Sequence, residues 1–269
     1  MRPLHRLRYL RHLTGRHRTP SINRLLGVLL AFNAGAINAG GFLVVSLYTS
    51  HMTGFVSIVA DNLVLGNMAL VLGAIGALLF FVGGAASTAV LVNWAQRHHL
   101  RSGFALPLML EASLLLLFGL VGATLNRQTP FAVPLTVLLL AYTMGLQNAV
   151  VSKLSFAQIR TTHMTGVITD LGIELGKLLY WNRGHQSADM LVRANRGKLK
   201  LLSGLLLAFL TGGIVGAIGF KYAGFVSVLP LVAVLMVLAL PPLLADLRHL
   251  QRLRHLHRRA RPPVVVPVP

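Results

Sequence analysis

Read for hydrophobic pattern alone, the chain is a series of long apolar runs with short polar interruptions. The runs at 25–48, 68–95, 103–125, 131–152, 199–220 and 223–245 each hold about 20 residues or more, enough to cross ~30 Å of hydrocarbon as a helix. Two other segments are too short or too polar to span. One is 54–66, about 13 residues, and the other is 166–180, which contains Asp170, Glu174 and Lys177. Segments of this length read as re-entrant or interfacial helices. The pattern therefore predicts an all-α polytopic membrane protein with six transmembrane helices and two short re-entrant or interfacial ones. Pro107, Pro134 and Pro230 mark helix ends or bends. Gly212, Gly213, Gly216 and Gly219, with Ala36 and Gly40, mark close helix contacts. The first run could be mistaken for a secretory signal, but its basic leader is long and the run is half of a repeated pair, so it reads as a membrane helix.

The repeat is a six-residue phrase that occurs twice. Thr49-Ser50-His51-Met52-Thr53-Gly54 returns 112 residues later as Thr161-Thr162-His163-Met164-Thr165-Gly166. Upstream, Gly35-Ala36-Ile37-Asn38-Ala39 is echoed by Gly145-Leu146-Gln147-Asn148-Ala149 at a spacing of 110, so the second loop is two residues longer. The repeat organises the chain into a basic tail at 1–24, a first membrane repeat at 25–125, a second at 126–245 with a loop at 181–198, and a basic tail at 246–269. Six crossings give three per half, and an odd number inverts the second half. The expected architecture is thus a 3+3 inverted repeat with a pseudo-two-fold axis in the membrane plane.

Composition agrees, with 55% apolar residues, 12% charged ones and a mean hydropathy of +0.69, values outside the soluble range. The net charge of +19 raises the question of nucleic acid, which the distribution of charge answers. With a cytoplasmic amino terminus and six crossings, 23 of the 25 Lys and Arg residues fall inside, and only Arg127 and Lys221 fall outside. The positive-inside rule predicts this bias with both termini cytoplasmic. The basic tails would meet anionic lipid headgroups at roughly 1 kcal/mol per residue. They carry no binding module and few stacking aromatics, so no nucleic-acid partner is expected. The chain has no cysteine, which excludes disulfides, thiolate metal sites and thiol nucleophiles.

Each phrase has the chemistry of a helix start. Thr or Ser can cap the first backbone N–H groups, and Gly allows close approach. Such a start favours an anion or a polar carbonyl. In an inverted repeat, two of them entering from opposite faces could meet near the midplane, as in secondary transporters. The candidate solute-binding residues are Asn38, Thr49, His51, Thr53 and Gly54 in the first half, and Asn148, Thr162, His163, Thr165 and Gly166 in the second. His51 and His163 could each donate, accept or carry a proton. His beside Met suits Cu(I), but one of each per phrase and no cysteine is too small a donor set. No metal or cofactor is expected. Asn33, Asn38, Gln147 and Asn148 precede the phrases in apolar helices, where their amides line a polar pathway or join helices.

Asp61, Glu111, Asp170 and Glu174 lie in apolar or short segments and are the proton-coupling candidates, since an acid within a membrane segment is costly. Asp61 lies one position from the repeat equivalent of Glu174, so both could face one cavity. Asp170 and Glu174 share a helical face with Lys177, which also fits an amphipathic surface helix. Asp189 and Asp246 occupy ordinary loop or end positions.

Asn148, then Arg160-Thr161-Thr162-His163-Met164-Thr165-Gly166 and Asp170-Leu171-Gly172, resemble the YoaK-like family of bacterial inner-membrane proteins, a domain of unknown function. The family's first phrase usually continues with Asn, where this chain has Phe55. The resemblance implies a multi-spanning protein of the bacterial inner membrane and supplies no substrate or catalytic residue. The resulting expectation is a transporter or channel for a small polar or anionic solute, with proton coupling as an option. The alternative is a membrane assembly or partner-binding protein. An enzyme is not expected, because no serine elbow, paired-His metal motif or phosphate loop is present.

Overall fold

The computed structural model describes residues 20–100, 102–124, 132–155, 159, 161–182 and 191–259, with side chains for all but 20–22, 132–133 and 249–259. The basic tail ahead of 20, the tail beyond 259, Arg101, Arg127, Arg160 and Asp189 lie outside the described residues. The elements are α1 (Pro20–Val45), α2 (Met52–Leu65), α3 (Met68–Arg97), α4 (Ala105–Thr124), α5 (Ala132–Ser155), α6 (Met164–Leu179), α7 (Arg196–Ala223), a turn of 3-10 helix (Gly224–Ser227) and α8 (Val228–Arg259). Among the described residues there is no strand.

Among the described residues, five apolar stretches are long enough to cross a membrane: Asn23–Val45, Met68–Arg97, Ala105–Ala123, Pro134–Ser155 and Arg196–Arg248. The last has 53 residues, ~80 Å if it were one helix. It is broken at Gly224, whose φ of 62° is left-handed, into α7 and α8. Pro107, Pro134 and Pro230 fall in the first turns of α4, α5 and α8, where a missing N–H forfeits no intrahelical bond. Two boundaries differ from the sequence reading. Helix α1 begins at Pro20, inside the expected tail, and α8 continues to Arg259, beyond the expected end at 245.

Bilayer helices have little hydrophobic reason to pair, so small residues decide which ones touch. Helix α1 packs along α7, and α3 along α5. In the first pair a Cβ on Gly35 would strike the Phe209 carbonyl, one on Gly212 the Phe32 carbonyl, and one on Gly216 the backbone of Ala36. In the second pair a Cβ on Gly145 would strike the Phe81 carbonyl and one on Gly84 the Tyr142 carbonyl. The two sets match position by position: Gly35 with Gly145 and Phe32 with Tyr142 at 110, Phe81 with Phe209 and Gly84 with Gly212 at 128. Where the first pair has Gly216 on Ala36, the second has Thr88, whose hydroxyl donates to the Leu146 carbonyl at 3.0 Å. Each pair thus joins a helix from one half of the chain to a helix from the other.

Helix α4 packs on α8, and α1 touches α5. Outward faces are apolar. Leu72, Leu79 and Val82 of α3 and Leu207, Ile214 and Ile218 of α7 are exposed, as expected of helices surrounded by lipid. The short helices lie outside this bundle, α2 against α3 and α6 against α7. Only Phe55 of α2 is buried.

Candidate functional site

Both phrases form helix starts, and they do so in the same way. His51 and His163 are the residues just ahead of α2 and α6, and both are exposed. The first intrahelical bonds run from Phe55 N to His51 O at 3.3 Å and from Val167 N to His163 O at 3.1 Å. The expected Ser and Thr capping is absent. Instead the Ser50 hydroxyl donates back to Asn38 Oδ1 at 2.8 Å, and the Thr162 hydroxyl donates to Asn148 Oδ1 at 2.6 Å. These hydroxyls tie each start to the preceding long helix, while the first helical N–H groups, those of Met52 and Met164, donate to the Ser50 and Thr162 carbonyls at 3.2 and 2.9 Å.

Behind each tie lies a fully buried threonine. Thr49 and Thr161 both have 0% exposure, and neither hydroxyl has a hydrogen-bond partner among the described residues. Thr53 and Thr165 are exposed in the first turns. Gly54 has a steric role, since a Cβ there would come within 2.7 Å of His51 Nδ1. Only hydrogen at that position leaves the imidazole its place.

The amides of the long helices point inward. Asn148 Nδ2 donates to the Met144 carbonyl at 2.8 Å, and Gln147 Nε2 donates to the Leu30 carbonyl at 3.2 Å, which links α5 to α1. Asn33 is buried, and neither end of its amide has a partner among the described residues. Glu111 is at 0% exposure with both carboxyl oxygens unpartnered among the described residues, a costly arrangement that packing alone does not call for.

The structure does not bring the two phrases together. Helices α2 and α6 make no contact with each other, so the expected meeting of the two starts is not seen. Asp61 and Glu174 likewise face no common cavity. Asp61 is exposed on α2, whereas Glu174 is 2% exposed on α6.

Glu174 belongs to an ion-pair network. Its Oε2 accepts from the Asn195 backbone N–H at 2.8 Å, and its Oε1 accepts from Lys177 Nζ at 3.0 Å, with Lys198 Nζ at 3.9 Å. Helix α6 is not one of the spanning stretches. Donation from the Asn195 N–H, then from Lys177, holds the Glu174 carboxyl below its usual range. Asp170 is half-buried and pairs with Lys198 Nζ at 3.5 Å. The network anchors α6 on the start of α7. Helix α6 also exposes Ile168, Ile173, Leu175 and Leu178, followed by Tyr180 and Trp181, the composition of a helix at a membrane interface. A cavity of about 490 Å³ opens beside the network, lined by Arg24, Gly166, Asp170, Asn195, Gly197 and Lys198 above a floor of leucines.

Residues 26–240 match a family described as a protein of unknown function, DUF1275. The chain belongs to this family. A similar protein is the UPF0700 transmembrane protein YoaK of Bacillus subtilis (strain 168). It is 29% identical over 178 residues, which cover 64% of this chain and 76% of YoaK. No solved structure matches this chain. With its spanning-capable helices and this family membership, the chain is a transmembrane protein of the DUF1275 family.

In this DUF1275 chain several polar residues escaped the sequence reading. Asn195 completes the network from 21 residues along the chain and Lys198 from three further on, and only the Asn195 cap on the Lys198 N–H, at 3.0 Å, leaves a local trace. Asp246 does not occupy an ordinary end position, since it is 6% exposed and accepts from the Ser102 backbone N–H at 2.8 Å. That bond joins α8 to the start of α4 across 144 residues, a distance at which no local pattern could signal it.

Proposed function

We propose that this protein carries a small polar or anionic solute across the bacterial inner membrane, with three crossings in each half, the halves inverted and both termini cytoplasmic. The observation that carries the reading is the twofold occurrence of one unusual site: a tied helix start, Asn38 with Ser50 and Asn148 with Thr162, each backed by a buried hydroxyl without a partner among the described residues. A packing motif would satisfy that hydroxyl. The matched glycine crossings of α1 with α7 and α3 with α5 support the inverted repeat, and the division of α7 from α8 at Gly224 supports six crossings.

In this reading the solute is held at the helix starts by first-turn N–H groups that no side chain caps, by His51 and His163, and by Thr53 and Thr165, with Gly54 and Gly166 giving access. The starts do not touch, so passage requires the α1–α7 pair to rock against the α3–α5 pair. Glu111, the buried acid with free oxygens, carries the coupling proton, and Asp61, Asp170 and Glu174 are secondary candidates. The basic tails contact anionic lipid, and no covalent chemistry is performed on the solute.

The test is uptake of phosphate, sulfate and acetate into proteoliposomes by wild type, His51→Ala and His163→Ala. Both histidines are exposed, so neither substitution opens a core cavity. Flux reduced by each substitution is expected. Turnover of a solute without flux, with loss from one substitution only, would sink the proposal. Reporter fusions after Gln128 and after Asn195 should lie on opposite sides, and finding them on one side removes the three-plus-three topology.

A further inference from the structure

We infer that the cavity between the starts of α6 and α7 is a binding site for a phosphate-class oxyanion, held by Arg24 and Lys198. The cavity, about 490 Å³, has the size of a small-ligand pocket. Its wall carries two cations and one carboxylate, that of Asp170, which is already engaged by Lys198 at 3.5 Å. Among the described residues no carboxylate pairs with Arg24, so its charge is the one left over. A guanidinium presents a rigid fork of donors matched to paired oxygens of phosphate or carboxylate.

The backbone adds donors on two sides. Gly166 lies in the first turn of α6 and Gly197 in the first turn of α7, and both line the cavity. The N–H groups of a first turn have no intrahelical acceptor. At α7 the Asn195 side chain takes only that of Lys198. A Cβ on Gly197 would meet nothing nearer than Asn195 Oδ1, at 3.3 Å, so the backbone there is open to a ligand. The Glu174 charge is offset by Lys177 at 3.0 Å, with Lys198 at 3.9 Å, which leaves Arg24 as the cavity cation that no described carboxylate matches.

The site is not duplicated. At the repeat spacings of 110, 112 and 128, the positions of Arg24, Asp170 and Lys198 correspond to Pro134, Ile58 and Leu70. Only one end of the molecule therefore carries the charged cavity, in contrast to the doubled phrases. The inference does not depend on solute movement. The floor of Leu201, Leu202 and Leu205 would accept an acyl chain as readily as water, so the oxyanion is either a free ion or a lipid headgroup phosphate.

The experiment measures thermal unfolding of the full chain with two probes. One is inorganic phosphate added to the protein in detergent. The other is phosphatidylglycerol incorporated in phosphatidylcholine nanodiscs. Each is applied to wild type, to Arg24→Gln, and to Lys200→Gln, which removes an exposed cation outside the cavity. A saturable rise of about 3 °C or more that Arg24→Gln abolishes and Lys200→Gln keeps supports the site. A rise with phosphate identifies a free oxyanion, and a rise with phosphatidylglycerol alone identifies a lipid headgroup. No rise with either probe, or equal loss in both variants, overturns the inference. A rise that survives Arg24→Gln overturns it as well. Binding with no uptake in proteoliposomes would leave this site standing and refute transport.

Discussion

Adding one methyl group at Gly84 or Gly212 tests the central packing claim most directly. At Gly84 the new Cβ would collide with the Tyr142 carbonyl and press on Leu146 N, and at Gly212 with the carbonyl and Cα of Phe32. These are backbone atoms. They cannot rotate aside as a side-chain end can, so the helix pair must separate along its length. Overpacking of this kind costs about 1–3 kcal/mol, offset by about 0.5–1 kcal/mol for replacing Gly by Ala within a helix. Gly172 and Gly204 serve as references, because a Cβ there meets nothing within 4 Å, and only the gain of about 0.5–1 kcal/mol applies. The two classes should differ by about 1–3 kcal/mol, roughly 5-fold to 150-fold in the folded-to-unfolded ratio. Unfolding in mixed detergent, followed by the fluorescence of Trp94 and Trp181, reads the difference. Gly84 and Gly212 lie on separate helix pairs, so the double variant should be additive within about 0.5 kcal/mol. If Gly84→Ala and Gly212→Ala unfold at the same detergent fraction as Gly204→Ala, the backbone-to-backbone approach is wrong.

Three further outcomes are expected. Glu174 has a lowered carboxyl pKa, so its contribution to anchoring α6 is complete above the unfolded value of about 4.3. The contribution is lost as pH falls through the folded value; proteolysis of the segment ahead of α7 should accelerate below about pH 4, and Glu174→Gln should flatten that profile. Asp246→Ala leaves the buried Ser102 N–H without an acceptor, a loss of about 1–3 kcal/mol, while Asp246→Asn, which keeps an oxygen, should recover most of it. Ser50→Ala and Thr162→Val each remove one tie and should each destabilise by about 0.6–2 kcal/mol. Hydrogen exchange should rise at the start of α2 for the first and of α6 for the second, and a large effect in one half only would contradict their equivalence.

Much of this protein was determined by local sequence. Length and apolarity are properties of contiguous residues, so the long helices, the two short ones and the prolines in their first turns were readable position by position. The doubled phrase was readable too, because a duplication keeps residue order, and the ties Asn38–Ser50 and Asn148–Thr162 span only 12 and 14 residues. Gly212 and Gly216 were recognised as contacts, but not what they contact.

Which helices pair was decided only in three dimensions. Bilayer helices are apolar on every face, so hydrophobic pattern leaves the partner open, and the choice falls to glycines that meet a carbonyl far along the chain. The same reason hid the roles of Lys198 and Asp246. Whether a charge is solvated, paired or buried depends on what the fold places opposite it, and the partners of these two lie 28 and 144 residues away. Sequence order placed Asp61 near the repeat equivalent of Glu174. The tertiary structure separated them, because α2 and α6 pack on different long helices and never meet.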